Sequence, residues 1–599
     1  MKRFSPYLLS ALLFALALPI FPSLHLEFLE WVWMVPLLLA LRDVHTLGGL
    51  LWRSYLTMFI GWALVMSWLL WATAAGGALL FFVGAFVYTV PMVAFHFLRR
   101  SLGWRAALWS LPVIWTACEW LYHQTPGAIG WLSLGLPQSR LWWLIQFVDL
   151  TGVWGVTFWI VLFNVLIVDC AQRWWLRIAD CGRGEFPNDV VLCEDNVSWK
   201  SAIRNPQSAI FRRLALIVAL MFGLPLGYTA FRWIEHSRAE KNELSILLTQ
   251  PNVNPWLKTS LETRAAELRR SLTLTNRALR AQPNSFDLIV WPETAIPFVL
   301  PQDEQTRMLV GDHVSRWQTP LLSGALNLRS YPDPAERSEL LKFQNRDYEL
   351  FNAAFLFTPR NDVQSSAFRR KKSNSGNHSV EGGAPKSKLQ EAATLSAPYH
   401  KQKLMPFVEQ VPLVEQFPAL ASLALDFGAG NSIDLGVESN LFTFTTRTGR
   451  PVTVAAAICY EQFFPAHLAG LVRQGGEMIA LMTNIGWFSQ SHGQHQIAAF
   501  LQMRAIELRR SVVCAANTGQ TTMIDPLGRV TAETPWWAEQ TLSGQAQLSS
   551  TLSFYVRHPD LFPKVCALLT ALILTLAVYW RALLGWLKLS PVDGRALTN

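Results

Sequence analysis

The sequence predicts a polytopic α-helical membrane domain joined to a water-soluble α/β domain. Of its 599 residues 51% are hydrophobic and only 16% are charged, and the apolar residues concentrate in the first 235 and the last 40. From Asn242 onward, short apolar runs alternate with amphipathic helical patterns. A chain of this length is expected to form more than one domain. We therefore predict a membrane domain at 1–235, a soluble α/β domain at 240–556, and a last membrane helix with a tail at 560–599.

The apolar part of the chain divides into segments long enough to cross a bilayer. A tilted or slightly short helix of about 15 to 28 residues suits a hydrocarbon core of about 30 Å. The first segment also has features of a signal peptide, but further apolar segments follow at once, which favours a retained span. The eight predicted spans are 7–21, 27–41, 54–74, 76–98, 105–122, 141–168, 209–230 and 562–584.

Positive charges give these spans an orientation. Lys and Arg gather in alternate loops, whereas the loops on the other side hold a single Arg, and cytoplasmic loops are the ones enriched in these residues. The net charge of +9 therefore reflects membrane topology rather than nucleic-acid binding. We predict a multi-pass membrane protein with both termini cytoplasmic and the α/β domain on the opposite side, which for the inner membrane of a bacterium is the periplasm.

The middle of the chain reads as alternating strands and helices. Such alternation implies an α/β domain whose helices cover the faces of a sheet. A helix is predicted at 260–282, and strands at 244–248, 286–291, 321–326, 353–358, 442–446, 452–458, 478–482, 512–516 and 522–524. Residues 360–398 are polar, basic and poor in large apolar side chains, so they predict a mobile loop, with a lipid-headgroup site as the alternative.

Three short stretches carry candidate catalytic residues. FDLIVWPETAIPF places Glu293 just after a strand, YHKQKLMPFVEQVP contains Lys401 and Glu409, and AAAICYEQFFP ends a strand at Cys459. A lone cysteine at a strand end is either a buried core residue or a nucleophile held on a sharp turn.

Together the three stretches supply the groups that an attacking cysteine requires. A thiol with a pKa near 8.5 is mostly protonated at neutral pH, so an attacking cysteine needs a base or a nearby cation. Glu293 is a candidate base, Lys401 a candidate partner for the developing oxyanion, and Glu409 a candidate to orient Lys401 or an incoming amine. The reaction class is acyl transfer through a thioester.

The three motifs also resemble a known family. W-P-E-T, Y-x-K-x-x-L-x-P-F-x-E-x-x-P and I-C-Y-E, in this order, are similar to the Glu-Lys-Cys motifs of the nitrilase superfamily. Their position between membrane spans resembles the bacterial apolipoprotein N-acyltransferases, as do GWLSLGLPQSRLWWLIQFVDLTGVWGVTF at 130–158 and the later segments TNIGWFSQS, MRAIELRR and ANTGQTTMIDPLGRV. The likeness covers nearly the whole chain.

This resemblance implies a four-layer α-β-β-α catalytic domain on a membrane bundle. It implies Glu293 as base, Lys401 as oxyanion partner and Cys459 as nucleophile, with Glu409, Tyr460 and Glu461 in support. The implied reaction moves an acyl chain from a phospholipid donor, through a thioester, to the α-amine of the diacylglyceryl-cysteine of an apolipoprotein. No metal or other cofactor is implied, and we expect a monomer.

Several aromatic residues are candidates for binding the acyl chains. Trp and Phe favour membrane interfaces, and we assign this role to Trp487, Phe488 and Trp256. The alternative for each is ordinary core packing. Phe463, Phe464 and the Trp536-Trp537 pair lie on neighbouring loops and are weighed in the same way.

The chain also departs from the family motifs. Val408 stands where glycine is usual, which denies the loop a positive φ and predicts an altered setting of Glu409. His492 and His495 are spaced like metal ligands but have no third ligand in the pattern, so no metal site is expected. The other departures are Pro251, Thr259, Gln410, Ile485 and Cys514.

Two further functions stay open at the level of sequence. The same triad hydrolyses amides in soluble relatives, so a membrane-anchored hydrolase is one alternative. A catalytically silent paralogue that binds lipoproteins or lipid is the other. Glu119, an ionisable residue inside the fifth predicted span, is either a functional or helix-pairing residue at membrane depth, or a residue that simply lies near the membrane interface.

Overall fold

The computed structural model describes residues 4–18, 24–72, 74–182, 199–240, 242–255, 260–360, 393–423 and 433–587. The N-terminal helices are α1 (Ser5–Ala17), α2 (Met34–Leu41), α3 (Leu47–Val65), α4 (Leu69–Ala72), α5 (Ala74–Leu102), α6 (Trp104–His123), α7 (Val148–Thr151), α8 (Val153–Gly182) and α9 (Trp199–Arg238). The later helices are α10 (Leu261–Ala281), α11 (Glu304–Trp317), α12 (Glu339–Phe343), α13 (Pro465–Arg473), α14 (Gly493–Leu508), α15 (Phe554–Arg557) and α16 (Leu561–Trp586).

The strands all lie between α9 and α15. They are β1 (Glu243–Gln250), β2 (Leu288–Val290), β3 (Ile296–Val299), β4 (Leu321–Ser330), β5 (Tyr348–Pro359), β6 (Ala393–Leu395), β7 (Tyr399–His400), β8 (Phe442–Thr445), β9 (Pro451–Ile458), β10 (Met478–Thr483), β11 (Val512–Ala516), β12 (Thr522–Ile524), β13 (Val530–Glu533) and β14 (Gln540–Gln547). Each predicted strand has a counterpart among them. The predicted loop at 360–398 ends earlier than expected, because β6 pairs with β5; residues 361–392 lie outside the described part.

Apolar helices make up the N-terminal region. By length and hydropathy, four helices of the described chain are able to cross a membrane, namely Gly77–Leu102, Val153–Arg173, Ala215–Arg238 and Leu561–Leu584. Together with the helical N-terminal third, they agree with the predicted membrane domain. The count of eight spans and their orientation stay predictions.

The structure corrects two of the predicted spans. Segment 27–41 is a 3-10 turn followed by α2, whose eight residues reach only about 12 Å. Segment 141–168 becomes one long helix only from Val153, after Gly152 takes a φ of 67°. The polar residues that precede this helix explain the break, because Gln146 and Asp149 bind Arg509 of the soluble domain.

The soluble domain consists of two sheets packed face to face. One sheet has the order β14-β1-β2-β4-β5-β6, with β3 beside β4 and β7 beside β5, and the other has the order β13-β12-β11-β10-β9-β8. The apolar side chains of β1 and β9 share a single buried core. Helices α10 and α11 pack on the outer face of the first sheet, and α13 and α14 on that of the second. The predicted α-β-β-α sandwich is thereby confirmed.

The two regions meet through buried polar contacts. Arg509 Nε donates to Asp149 Oδ2 at 2.9 Å, and Val153 N donates to Glu507 Oε1 at 2.6 Å. Trp154 Nε1 donates to Asp560 Oδ1 at 3.0 Å. Hydrogen bonds between buried polar groups fix the geometry of an interface, because each bond that is lost leaves a buried group unsatisfied. The soluble domain is therefore held in one orientation on the helices.

Gly130 provides a test of this interface. A Cβ at this position would lie 2.1 Å from Phe463 Cβ, so Gly130→Ala forces the two regions apart. Overpacking of this kind costs about 1–3 kcal/mol, and we expect a lower midpoint of thermal unfolding for the detergent-purified protein. Gly127→Ala is the control, because the nearest atom to its Cβ is 3.9 Å away. Equal midpoints for the two variants would contradict this account of the interface.

Candidate active site

Cys459 lies on a sharp turn at the end of a buried strand. In β9 the six residues before the cysteine run through small and branched side chains, and Ile458 is fully buried. Cys459 then takes a φ of 48°, a region that non-glycine residues seldom adopt, and begins a 3-10 turn that ends at Phe463. Its side chain is only partly buried, whereas both sequence neighbours are buried. The turn thus holds the thiol at the edge of the sheet.

Glu293 reaches the site from the other sheet. It follows β2 after Pro292, and Thr294 next to it has a φ of 49°. The neighbouring strand β4 carries Gly324, whose missing side chain makes room for this turn, since a Cβ there would lie 2.8 Å from Glu293 Cα. Asn352 Nδ2 donates a hydrogen bond to Glu293 Oε1 at 2.8 Å. This bond fixes the direction of the carboxylate.

Lys401 lies between two carboxylates. Its ammonium donates to Glu409 Oε1 at 2.7 Å and to Glu293 Oε1 at 3.4 Å, and its side chain is 2% exposed. The other oxygen of Glu409 accepts from the backbone N–H of Met405 at 2.8 Å. Residues from β7, the loop after it and the turn after β2 therefore form one buried charge network.

The charges around the thiol decide its protonation. Burial raises the pKa of Cys459 to about 12, the carboxylates of Glu293 and Glu409 add to the rise, and Lys401 opposes it. Burial lowers the pKa of Lys401, but Glu409 and Glu293 together raise it above its ordinary value. The resting site therefore holds a protonated thiol beside a charged lysine, and a nearby base is needed to activate the thiol.

Glu461 ties the cysteine turn to the lysine loop. Its Oε2 accepts from Ile458 N at 2.7 Å, and its Oε1 accepts from Gln402 N at 2.7 Å and from the Tyr399 hydroxyl at 2.7 Å. His467 Nε2 lies 3.4 Å from Oε1. Although burial raises the pKa of Glu461, His467 and these donors lower it below its ordinary value. The carboxylate thus stays charged and holds both loops in place.

Tyr460 joins the cysteine turn to the membrane region. Its hydroxyl donates to Ala128 O at 2.9 Å and accepts from Gly130 N at 2.8 Å. The ring of Trp131, in the same loop, lies 5.8 Å from the Tyr460 ring and 4.8 Å from that of Phe463. The loop after α6 is therefore a direct support for the turn that carries Cys459.

Glu119 holds the same loop from inside the helices. One carboxylate oxygen accepts from the hydroxyls of Ser133 and Thr157, both at 2.8 Å, and the other accepts from Leu134 N at 3.1 Å. These buried contacts favour a helix-pairing role for Glu119, since it joins α6 to α8 and to the loop under Tyr460.

The expected disturbance at Val408 is absent, and that prediction was wrong. The positive φ of this turn, 65°, belongs to Phe407, and Glu409 still reaches Lys401. The turn closes through a bond from Phe407 N to the backbone oxygen of Gln410 at 2.9 Å, which any residue at 410 supplies. Among the other departures, Ile485 and Cys514 are buried core residues and Pro251 is buried after β1.

The predicted substrate-binding aromatics occupy different places. Trp487 is half-buried, whereas Phe488 is 9% exposed and its ring lies 4.7 Å from that of Trp68 and 6.2 Å from that of Trp131. Phe488 thus packs in the interface between the two regions rather than in an open pocket. Trp256 and Thr259 lie outside the described residues. His492 contacts Val65 O at 3.3 Å, and the His495 ring packs on Trp536 at 5.1 Å.

Sequence reasoning missed residues that act on the site through others. Asn352 orients Glu293, Gly324 makes room for it, and Tyr399 and His467 bind Glu461. A local signal was present for Asn352, since a single amide inside the apolar strand FNAAFLF is unusual. The others gave no local signal, because their partners lie far away in the sequence.

Family models and whole-chain relatives agree with this architecture. The carbon-nitrogen hydrolase family model matches residues 248–554, and the model of the apolipoprotein N-acyltransferase N-terminal domain matches residues 10–166. The apolipoprotein N-acyltransferase of Chlorobaculum tepidum is 34% identical over 94% of each chain. That of Geobacter metallireducens is 26% identical over 95% of this chain and 94% of its own. A nitrilase-superfamily structure, Nit3 of Saccharomyces cerevisiae, is 16% identical over 51% of this chain and 90% of its own, with a TM-score of 0.33.

The fold and the family models define a membrane-bound carbon-nitrogen hydrolase homologue. More particularly, the chain belongs to the apolipoprotein N-acyltransferase family. It is therefore an acyltransferase, as the motifs predicted.

The raised pKa of Cys459 predicts a specific pH dependence. Only the thiolate reacts with iodoacetamide, so without substrate the alkylation rate should rise about tenfold per pH unit from pH 7 to 10. No plateau is expected there, because the pKa lies at about 12. Mass spectrometry of the Cys459 peptide measures the rate, with glutathione as the reference thiol. A plateau below pH 9 would contradict the assigned environment.

Removing the charge of Glu461 should loosen both loops at once. Glu461→Gln replaces a buried carboxylate that accepts three hydrogen bonds by an amide, one of whose ends is a donor facing donors. Each group left unsatisfied costs about 1–3 kcal/mol. Because the pKa of Glu461 is lowered, its stabilisation is complete above its ordinary value of 4.5 and is lost as the pH falls below it. The difference in unfolding midpoint should therefore be largest near neutral pH. Glu438→Gln is the control, since that residue is 45% exposed and pairs with an equally accessible Arg329.

Proposed function

We propose that this protein transfers an acyl chain from a phospholipid to the N-terminal amine of a diacylated apolipoprotein, through a thioester on Cys459. Glu293 is the general base, Lys401 stabilises the oxyanion, and Glu409 holds Lys401. The protein acts as a monomer in a bacterial inner membrane, with its catalytic domain in the periplasm and both termini in the cytoplasm.

In the first half-reaction, Cys459 attacks the ester carbonyl of the phospholipid. Glu293 takes the thiol proton as the carbon-sulfur bond forms, and the carbonyl oxygen gains negative charge beside the Lys401 ammonium. When the tetrahedral adduct collapses, the ester carbon-oxygen bond breaks and the protonated Glu293 returns the proton to the leaving alkoxide. The products are a lysophospholipid and an S-acyl Cys459.

In the second half-reaction, the α-amine of the apolipoprotein attacks the thioester. Glu293 accepts a proton from the amine as the carbon-nitrogen bond forms. When the carbon-sulfur bond breaks, Glu293 passes this proton to the departing sulfur, so that both the Cys459 thiol and the carboxylate base are regenerated. The acyl group ends in an amide, and no outside source of energy is required because a thioester is more reactive than the amide. The same three side chains therefore serve both halves.

The observation that carries this proposal is the meeting of three distant chain segments. Lys401 Nζ contacts both Glu293 and Glu409, at 3.4 and 2.7 Å. The charges of all three side chains shift the pKa of the Cys459 thiol. The family membership gives the reaction class, and the apolar helices under the site suit an acyl donor that stays in the bilayer. The Arg-rich loops support the orientation.

The first test is intact mass spectrometry of the purified protein after incubation with a defined phospholipid. A fatty-acyl mass increase is expected for the unchanged protein and none for Cys459→Ala. Adding a diacylated lipopeptide should remove the adduct and yield the triacylated peptide. Glu293→Gln should slow acylation by about 10²–10⁴-fold, as for loss of a general base. Lys342→Gln, which removes an exposed lysine paired with Glu339, should leave the rate unchanged.

The outcomes separate the proposal from the two alternatives. An adduct that is lost to water but never passed to the lipopeptide indicates a hydrolase. Absence of any adduct, with the protein folded, indicates a silent lipid-binding or lipoprotein-binding protein. Equal acylation of Cys459→Ala contradicts the assigned nucleophile.

A further inference from the structure

Two adjoining cavities lie beside the active site and have no role in the chemistry so far. Their volumes are about 340 and 380 Å³, and both are bounded by the end of α6 and by the loop that follows Lys401. Their shared walls are His123, Gln124, Gln402, Lys403 and Phe464. None of Glu293, Lys401 or Cys459 lines either cavity. They form one compartment next to the site, which we call the side chamber.

Lys403 is the cation of the side chamber. Its ammonium lies 5.2 Å from the centre of the Phe464 ring, and within the described part of the chain no carboxylate lies within 4 Å of it. Half-buried lysines in a cleft usually pair with an acid, because partial loss of hydration destabilises an unpaired charge. The Lys403 charge is thus available to an anion that enters the chamber.

Gln402 adds a hydrogen-bond donor to the same chamber. Its side-chain Nε2 is buried and, among the described residues, has no hydrogen-bond partner. The backbone N–H of Gln402 is engaged by Glu461, which fixes this residue in the wall. A buried amide donor without a partner costs free energy unless a ligand or water completes it.

The carboxylates that line the chamber either accept hydrogen bonds from neighbouring residues or are exposed to solvent. Asp560 accepts from Trp154 Nε1 and from the Tyr555 hydroxyl, both at 3.0 Å, and Glu415 is exposed at the rim. His123 and His467 add imidazoles to the wall. The chamber therefore offers a cation and an unpaired amide donor to a singly charged, oxygen-rich group.

The chamber lies next to the turn that carries Cys459. Phe464, in its wall, directly follows the turn Cys459–Phe463, and its ring lies 5.4 Å from that of Tyr460. Lys403 is two residues beyond Lys401 in the chain. In a phospholipid only a glycerol unit separates the acyl ester from the phosphodiester. An ester placed at the thiol thus brings its phosphodiester to a neighbouring compartment of this kind.

We propose that Lys403 and Gln402 form the subsite that binds the phosphodiester of the acyl donor. The subsite positions the ester carbonyl at Cys459 and discriminates phosphate-bearing donors from neutral acyl esters. This inference rests on the proposed function, since it names the part of the phospholipid that the same enzyme holds. Lys403 is a specificity residue, because it touches the substrate away from the reacting atoms.

The test compares two donors that share an acyl chain. Cys459 acylation is measured by mass spectrometry with dipalmitoyl phosphatidylethanolamine and with p-nitrophenyl palmitate, which has no phosphate. Lys403→Gln should lower kcat/KM for the phospholipid by about 10–100-fold, mainly through KM, as for loss of a charge-assisted hydrogen bond. The rate with the nitrophenyl ester should stay within about twofold. Lys403→Arg should restore most of the loss, because it keeps the charge.

The controls assign each outcome. Lys342→Gln removes a charge elsewhere on the domain and should leave both donors unaffected. Equal loss with both donors, or no loss with either, overturns the subsite. If the unchanged protein accepts the nitrophenyl ester but no phospholipid, the proposed donor fails, and the subsite is decided by calorimetry alone. In calorimetry, glycerophosphoethanolamine should bind the unchanged protein and not Lys403→Gln. Inorganic phosphate that binds the unchanged protein as tightly as glycerophosphoethanolamine would assign the chamber to free phosphate and overturn the lipid subsite.

Discussion

The site depends on a single buried ammonium. Lys401 is 2% exposed, and a charge at that depth is tolerated only if carboxylates and hydrogen bonds replace the lost water. Glu293 and Glu409 supply this replacement from two separate segments of the chain. Removing either acid leaves a buried charge with one partner, at a cost of about 3–5 kcal/mol. The two acids therefore stabilise the fold in addition to the roles proposed for them in the reaction.

Buried charges and their hydrogen bonds also fix the loops around the site. Glu461 is buried and charged, and its four neighbours come from the cysteine turn, the lysine loop and α13. Tyr460 and Glu119 continue the chain of contacts into the helices. Each of these groups is buried and polar, so each is satisfied in one arrangement only. The position of the thiol is set by this series of bonds rather than by the sheet alone.

Much of the fold, and the candidate residues that meet at the site, could be predicted from the sequence, because the decisive signals are local. The period of the apolar residues gave the strands, as in β9, and short motifs gave Glu293, Lys401 and Cys459. The break before Val153 was missed, since the hydropathy of 141–168 is continuous and the contacts of Gln146 and Asp149 with Arg509 leave no local signal. The effect of Val408 was mispredicted because the residue with a positive φ in this turn is Phe407. Contacts such as Asn352 with Glu293 join distant segments and leave no local pattern.

The double hydrogen bond of the Tyr460 hydroxyl has a consequence for how the enzyme meets the bilayer. One oxygen binds both Ala128 and Gly130, which lie in the loop after α6. Cys459, next to Tyr460, is therefore held at a constant height relative to that helix. For the proposed phospholipid donor, an acyl ester at this height would reach the thiol by lateral diffusion, without leaving the bilayer. Catalysis would then be sensitive to membrane thickness, since a thicker or thinner bilayer displaces the ester plane from the fixed sulfur.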